Sequence, residues 1–239
     1  MIFLIINMLT VKNITKYRDE NTVLESVDLN IQPGTITSLI GPSGAGKTTL
    51  LNVLAFAAFP DKGEVVIDDV NFSFPIISET LPHPSSKVAM VFQQLFLWPH
   101  LTLRENITLS NKMNGEEIDE LISAFGMQGF IDRYPNQTSL GQRQRAALAR
   151  AIALKPRYLL LDEVTSALDI EQIEAIVKYL EKLKSNGTAV VAVTHLLHFA
   201  RRISDQIVFM DKGKIVEVGN KDVISNPKEA RTKEFLAFF

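Results

Sequence analysis

The octet Gly41, Pro42, Ser43, Gly44, Ala45, Gly46, Lys47 and Thr48 constrains the fold of this chain more than any other feature. It fits G-x-x-x-x-G-K-[ST], which works as a phosphate loop only between a strand and a helix. Both flanks are legible. Residues 35–40 form a short apolar run suited to a buried strand, and Leu50, Leu51, Val53, Leu54 and Phe56 recur at helical spacing beyond the loop. In such a loop the glycines let backbone N–H groups face phosphate oxygens, and the helix start adds partial positive charge. Lys47 reaches the β- and γ-phosphates, and Thr48 can hold Mg2+. One strand-loop-helix unit of this kind points to an α/β fold built on a P-loop core.

The remaining pattern arranges itself around that unit. Before it, residues 9–14 and 23–31 read as strands of an antiparallel layer, with Val27, Leu29 and Ile31 alternating. After it come a strand at 64–67, an irregular Pro/Ser stretch at 71–87 and a strand at 88–92. From 102 to 154 the pattern is helical, punctuated by Gly115, Gly126 and Gly129, with no convincing strand. Alternation then resumes with a strand at 157–161, a helix at 170–184, a strand at 188–193 and a helix starting near His195. A hairpin over 205–218, turning at residues 211–213, and two short helical pieces follow. The expectation is one domain over 1–239, with a core lobe of 1–94 and 156–239 and an inserted all-helical subdomain of 95–155.

Composition narrows the chemistry. With 46% hydrophobic residues among 239, the chain can bury a sizeable core. A net charge of −2 supplies no global positive field for nucleic acid, so no nucleic-acid partner is expected. The absence of cysteine excludes thiol catalysis and cysteine-ligated metals, and four histidines leave little for a histidine metal site. No apolar run approaches the roughly 20 residues that span a bilayer. The run at 1–6 lacks the preceding basic residue and following small-residue pattern of a signal peptide, so Met8 is a candidate start, or the run a simple strand extension. Residues 158–161 form an apolar strand ending in Asp162 and Glu163. Beside a phosphate loop, this suits an Asp holding Mg2+ through water and a Glu polarising an attacking water.

Together these residues resemble the nucleotide-binding subunit of an ATP-binding cassette (ABC) transporter over nearly everything from Met8 to Phe239. The diagnostic segment is Thr138-Ser139-Leu140-Gly141-Gln142, followed by Arg143-Gln144-Arg145, which stands where that family carries its LSGGQ signature. Ser166-Ala167-Leu168-Asp169 resembles the family's D-loop, Gln93 its Q-loop, His195 its switch histidine, and Tyr17 its adenine-stacking aromatic. The resemblance implies Glu163, His195 and Gln93 as catalytic residues. It implies Tyr17, the 41–48 loop with Thr49, Ser139, Gly141, Gln142 and Asp169 as ATP contacts, and Thr48, Gln93 and Asp162 around Mg2+. It further implies a second ABC ATPase chain, expected to be another copy, whose phosphate loop meets the start of the 139–154 helix with two ATP molecules between the chains. Transmembrane permease subunits, a solute-binding protein and a peripheral place on the cytoplasmic face of the inner membrane complete the implied setting.

Val-Phe-Gln-Gln, Pro-His-Leu-Thr, Thr-Ser-Ala-Leu-Asp and the ending at 226–236 most resemble polar amino-acid importers. The alternatives are a lipoprotein-extraction or export ABC ATPase and a nucleotide-gated regulator with weak hydrolysis. A DNA-repair or translation ATPase is disfavoured because the chain has neither a long coiled coil nor a second cassette. Two positions depart from the family: Leu140 stands where it has glycine, and Val164 where it usually has proline. Arg143, Arg145 and Arg150 read as a solvated cationic helix face. His83, His100 and His198 read as structural, and the run 95–101 as either subdomain core or docking surface.

Overall fold

The computed structural model describes residues 8–76 and 87–238. The run at 1–6, the choice of start, His83 and the Pro/Ser stretch from 77 to 86 lie outside the described residues. The elements run β1 (Leu9–Arg18), β2 (Asn21–Ile31), β3 (Ile36–Ile40), α1 (Lys47–Leu54), β4 (Lys62–Ile67), β5 (Val70–Phe74) and β6 (Val88–Val91). There follow α2 (Leu103–Thr108), α3 (Gly115–Ala124), α4 (Leu140–Ala153), β7 (Tyr158–Asp162), α5 (Ile170–Ser185), β8 (Ala189–Val193) and α6 (Leu197–Ile203). The chain ends with β9 (Gln206–Asp211), β10 (Lys214–Gly219), α7 (Asp222–Ser225) and α8 (Ala230–Leu236).

Two sheets form, ordered β2-β1-β4-β5, all antiparallel, and β10-β9-β3-β8-β7-β6, parallel except for the β9–β10 hairpin. The period-2 alternation of β7 assigns its faces. Tyr158 and Leu160 pack with Leu50, Leu51, Val53 and Leu54 of α1 and with the antiparallel sheet, while Leu159 and Leu161 pack toward α3, α4 and α5. Between β6 and β7 the described elements are all helical, including a 3-10 turn at Pro135–Gln137. Their apolar faces join one face of the parallel sheet in a single cluster.

Local chemistry explains where the helices start. Thr102 with Glu105, Asn114 with Glu117, and Ser139 with Gln142 each form a reciprocal capping box, which satisfies N–H groups that a helix start leaves orphaned. Two expectations need correction, and the helix expected near His195 gains an exact start. Residues 70–74 form β5 rather than the start of an irregular stretch, because Phe72 and Phe74 find Phe56 and Phe59 at ring-centroid distances of 4.8 and 6.0 Å. The helix expected near His195 begins at Leu197, after Thr194 Oγ1 accepts the N–H of Leu196 at 3.0 Å. Arg145 and Arg150 are not a solvated face. Arg145 is 9% exposed, donates to the carbonyl oxygens of Phe125 (2.8 Å) and Gly126 (3.3 Å) and lies over the Phe130 ring, and Arg150 donates to those of Phe96 and Leu95. The guanidinium fork suits this work, since it can bind two carbonyls at once.

A buried carboxylate ties the antiparallel sheet to the core. Asp68, in the two-residue β4–β5 turn, accepts from Tyr158 Oη (2.6 Å), Lys87 Nζ (2.5 Å) and Arg157 Nη1 (3.2 Å). Burial pushes its pKa up, but the hydrogen bonds from Lys87 and Tyr158 and the charge of Arg157 outweigh this and hold it below the usual carboxylate range. A depressed pKa in the folded state contributes stability that is present above the unfolded value and lost as pH falls through the folded one. Thermal melts from about pH 5 down to pH 2 should therefore show a steeper loss of Tm in the parent than in Asp68→Asn. At pH 7 the variant should be less stable by about 1–3 kcal/mol. Equal acid slopes would contradict this role for Asp68.

Candidate nucleotide site

The carboxyl ends of β3, β6, β7 and β8 share one edge of the parallel sheet, the edge where open α/β sheets place ligands. Gly41 leaves β3 there, at φ +142°, with a hypothetical Cβ only 2.1 Å from the Met210 carbonyl oxygen, so no side chain fits. The loop closes with Ala45 N–H donating to Pro42 O (3.2 Å) and runs into α1 at Lys47. Residues 43–49 line a cleft of about 370 Å³ together with Arg18, Val23, Glu163 and His195. The strand-loop-helix unit thus faces the residue pair contributed by β7 and β8.

Lys47 is 5% exposed, and its ammonium donates to Gly41 O and Pro42 O, both at 2.8 Å. Burial lowers its pKa, while the charges of Glu163 and Asp162 work the other way. Thr48 Oγ1 donates to Asp162 Oδ1 at 3.2 Å, joining α1 to the end of β7. Asp162 is 3% exposed. Burial raises its pKa; the Thr48 bond lowers it, whereas Glu163 reinforces the rise. A hydroxyl beside a buried carboxylate that burial makes costly to ionise is a donor set that fits Mg2+, which takes hard oxygen ligands from few side chains and completes its shell with phosphate and water. Among the described residues, no group of three or more His, Cys, Asp or Glu side chains is placed to hold a metal ion.

Glu163 adopts the left-handed conformation, φ +53°, with its N–H held by Val193 O at 3.1 Å. This conformation is uncommon for a side-chain-bearing residue, and non-glycine cases cluster at functional sites. Glu163 Oε1 meets His195 Nε2 at 2.8 Å, and both side chains keep access to the cleft.

The other expected residues lie outside this cleft. Tyr17, 41% exposed near the tip of the β1–β2 hairpin, sits 6.0 Å from Lys62 Nζ, and its N–H donates to Asp61. Its neighbour Arg18 is among the residues that line the cleft. Gln93 is exposed just beyond β6, on the same sheet edge but not in the cleft lining. Ser139 caps α4: its Oγ accepts from Gln142 N (3.2 Å), and Gln142 Oε1 accepts from Ser139 N (2.9 Å). Asp169 caps α5 by accepting from Gln172 N at 2.9 Å. At Gly141 a Cβ would stand 2.7 Å from the carbonyl oxygen of Ala167, so the glycine is required by a contact inside this chain.

The two departures have separate consequences. Val164 is 4% exposed and fills the core. Leu140, the first residue of α4, is 49% exposed beside the capped helix start. A branched side chain there limits how closely another surface can approach. Leu140→Gly should raise kcat for ATP without changing ATP affinity, as measured by steady-state hydrolysis and equilibrium binding. An inactive parent whose activity glycine restores would instead identify a nucleotide-gated regulator.

Comparison with known proteins agrees with this geometry. The family model described as ABC transporter matches residues 24–166. The chain is 40% identical to the L-cystine import ATP-binding protein TcyC of Bacillus subtilis (strain 168), over 96% of this chain and 97% of that protein. It is 39% identical to the glutamine transport ATP-binding protein GlnQ of Escherichia coli (strain K12), over 96% and 98%. Among solved structures it resembles a dimeric ATP-binding cassette in a post-hydrolysis state bound to ADP and Pi, with a TM-score of 0.78 and 35% identity over 90% of this chain and 99% of that one.

Proposed function

Because the chain belongs to the ABC transporter family, we propose that it hydrolyses ATP to drive uptake of a polar amino acid through a membrane permease. The observation that carries the reading is the 43–49 loop facing the Glu163–His195 pair across one cleft. The loop binds the triphosphate with backbone N–H groups and Lys47. Glu163 orients a water and takes its proton as the water oxygen bonds the γ-phosphorus and the bond to the ADP oxygen breaks. His195 holds the carboxylate in position. Thr48, Asp162 and Gln93 would hold Mg2+, which would supply charge neutralisation on the phosphates.

The solute class rests on relatives named for L-cystine import and glutamine transport. The dimeric neighbour supports pairing with a second copy, Ser139 and Gly141 presenting the head of α4 to the partner's nucleotide. The helical segment 95–155 acts as a lobe against the core of 1–94 and 156–239. A groove of about 300 Å³ between that segment and β6, flanked by half-exposed Trp98 and Leu109, suits a permease segment with an apolar face. No helix among the described residues is long and apolar enough to cross a membrane. A peripheral place on the cytoplasmic face, with permease and solute-binding protein as partners and without nucleic acid, completes the reading.

Co-purification from solubilised membranes with mass spectrometry, followed by uptake assays in vesicles carrying the recovered complex, tests it. A permease and a solute-binding protein in the complex, with ATP-dependent uptake of cystine or glutamine, are expected. Export, or a complex with no permease, would overturn the proposal.

A further inference from the structure

Gln144 lies on α4 between the helix head and the loop after β7. It is 5% exposed, and both ends of its amide are used. Nε2 donates to Ser166 Oγ at 2.9 Å, and Oε1 accepts from the N–H of Ala167 at 3.2 Å. One turn earlier on the same helix, Gly141 lies against the carbonyl of Ala167. The head of α4 therefore grips residues 166–167 by two side-chain hydrogen bonds and one close backbone contact. On the other side of the loop, Ser166 N–H donates to Glu163 O at 3.3 Å, and Val164 and Thr165 are buried. The path from the capped end of α4 thus runs through Gln144 and Ser166 to the backbone of Glu163, whose carboxylate faces the nucleotide cleft.

We propose that Gln144 is a positioning residue that couples the head of α4 to Glu163, so that an anion captured at Ser139 sets the carboxylate in the chain's own cleft. This rests on the two-chain ATPase reading, in which that anion is the γ-phosphate of the partner's ATP. One planar amide serves both partners, donating to Ser166 Oγ and accepting from Ala167 N–H. An apolar side chain can do neither, so Gln144→Met removes both hydrogen bonds that tie α4 to residues 166–167. Neither atom of the amide faces the cleft, so the effect falls on turnover and on communication between sites rather than on nucleotide affinity.

The test compares the parent with Gln144→Met, Ser166→Ala and the double variant, all as full-length chains. Equilibrium binding of ATP, kcat and the Hill coefficient for ATP are measured, with thermal melts as a folding control. Expected are an ATP Kd within about twofold of the parent, a kcat lowered by about tenfold or more, and a Hill coefficient falling from above 1 in the parent to about 1. The double variant should lose no more than the worse single variant, since both act on one path. Ser166→Ala removes a single hydroxyl from an exposed residue, so it keeps the test decisive if Gln144→Met folds poorly. Variants that retain the parent's kcat and Hill coefficient, or whose losses multiply, would overturn the coupling. A parent that binds ATP without hydrolysing it would overturn the ATPase reading itself, and is recognised before any variant is measured.

Discussion

Glu163→Gln is expected to bind ATP as the parent does, to lose hydrolysis by about 10²–10⁴-fold, and to accumulate as an ATP-held dimer. The amide cannot take a proton from water, so the step that breaks the γ-phosphoryl bond loses its base. Little else changes. Gln can still accept from His195 Nε2, and the left-handed backbone at 163 is no harder for Gln than for Glu. The phosphate loop, with Lys47 held by Gly41 O and Pro42 O, is untouched. Turnover assays and sizing chromatography with and without ATP check this outcome. Hydrolysis at the parent's rate would remove Glu163 as the base, and normal loss of turnover without a dimer would separate catalysis from chain pairing.

Lys47→Ala should act one step earlier, on binding. Charge-assisted hydrogen bonds contribute about 1.5–3 kcal/mol, which corresponds to a roughly ten- to hundredfold rise in the Kd for ATP. The residue is buried and its pKa depressed by that burial, so arriving phosphates favour the ammonium and raise the pKa again. ATP binding is then linked to proton uptake, and the parent's affinity should fall as pH rises through the depressed Lys47 pKa while that of Lys47→Ala stays flatter over the same range. Calorimetric titration with ATP at several alkaline pH values measures both. An unchanged Kd in the alanine variant would contradict the role given to Lys47.

The parts of this protein whose physics is local are legible in the order of its residues. The phosphate loop is one, since a strand, a glycine-rich turn and a helix follow within a few residues of each other. Helix starts such as Thr102 with Glu105 and Ser139 with Gln142 are another, because a cap is satisfied three residues away. The carboxylate pair at the end of β7 is legible for the same reason, and the resemblance to ABC ATPases rests on strings of this kind. Which distant segments meet is set by the packing of the whole chain. Asp68 finds Tyr158 across 90 positions, Gln144 finds Ser166 across 22, and Arg150 reaches the carbonyl of Phe96 across 54. It likewise brings Arg18 to the cleft and recruits 70–74 as a strand, since a residue's face and an edge strand's pairing depend on what packs alongside. Periodicity and capping are written within one or two turns of chain. The burial of a polar group depends on a partner that no local pattern specifies, so these contacts emerge only when the two sheets and the helical segment close on one another.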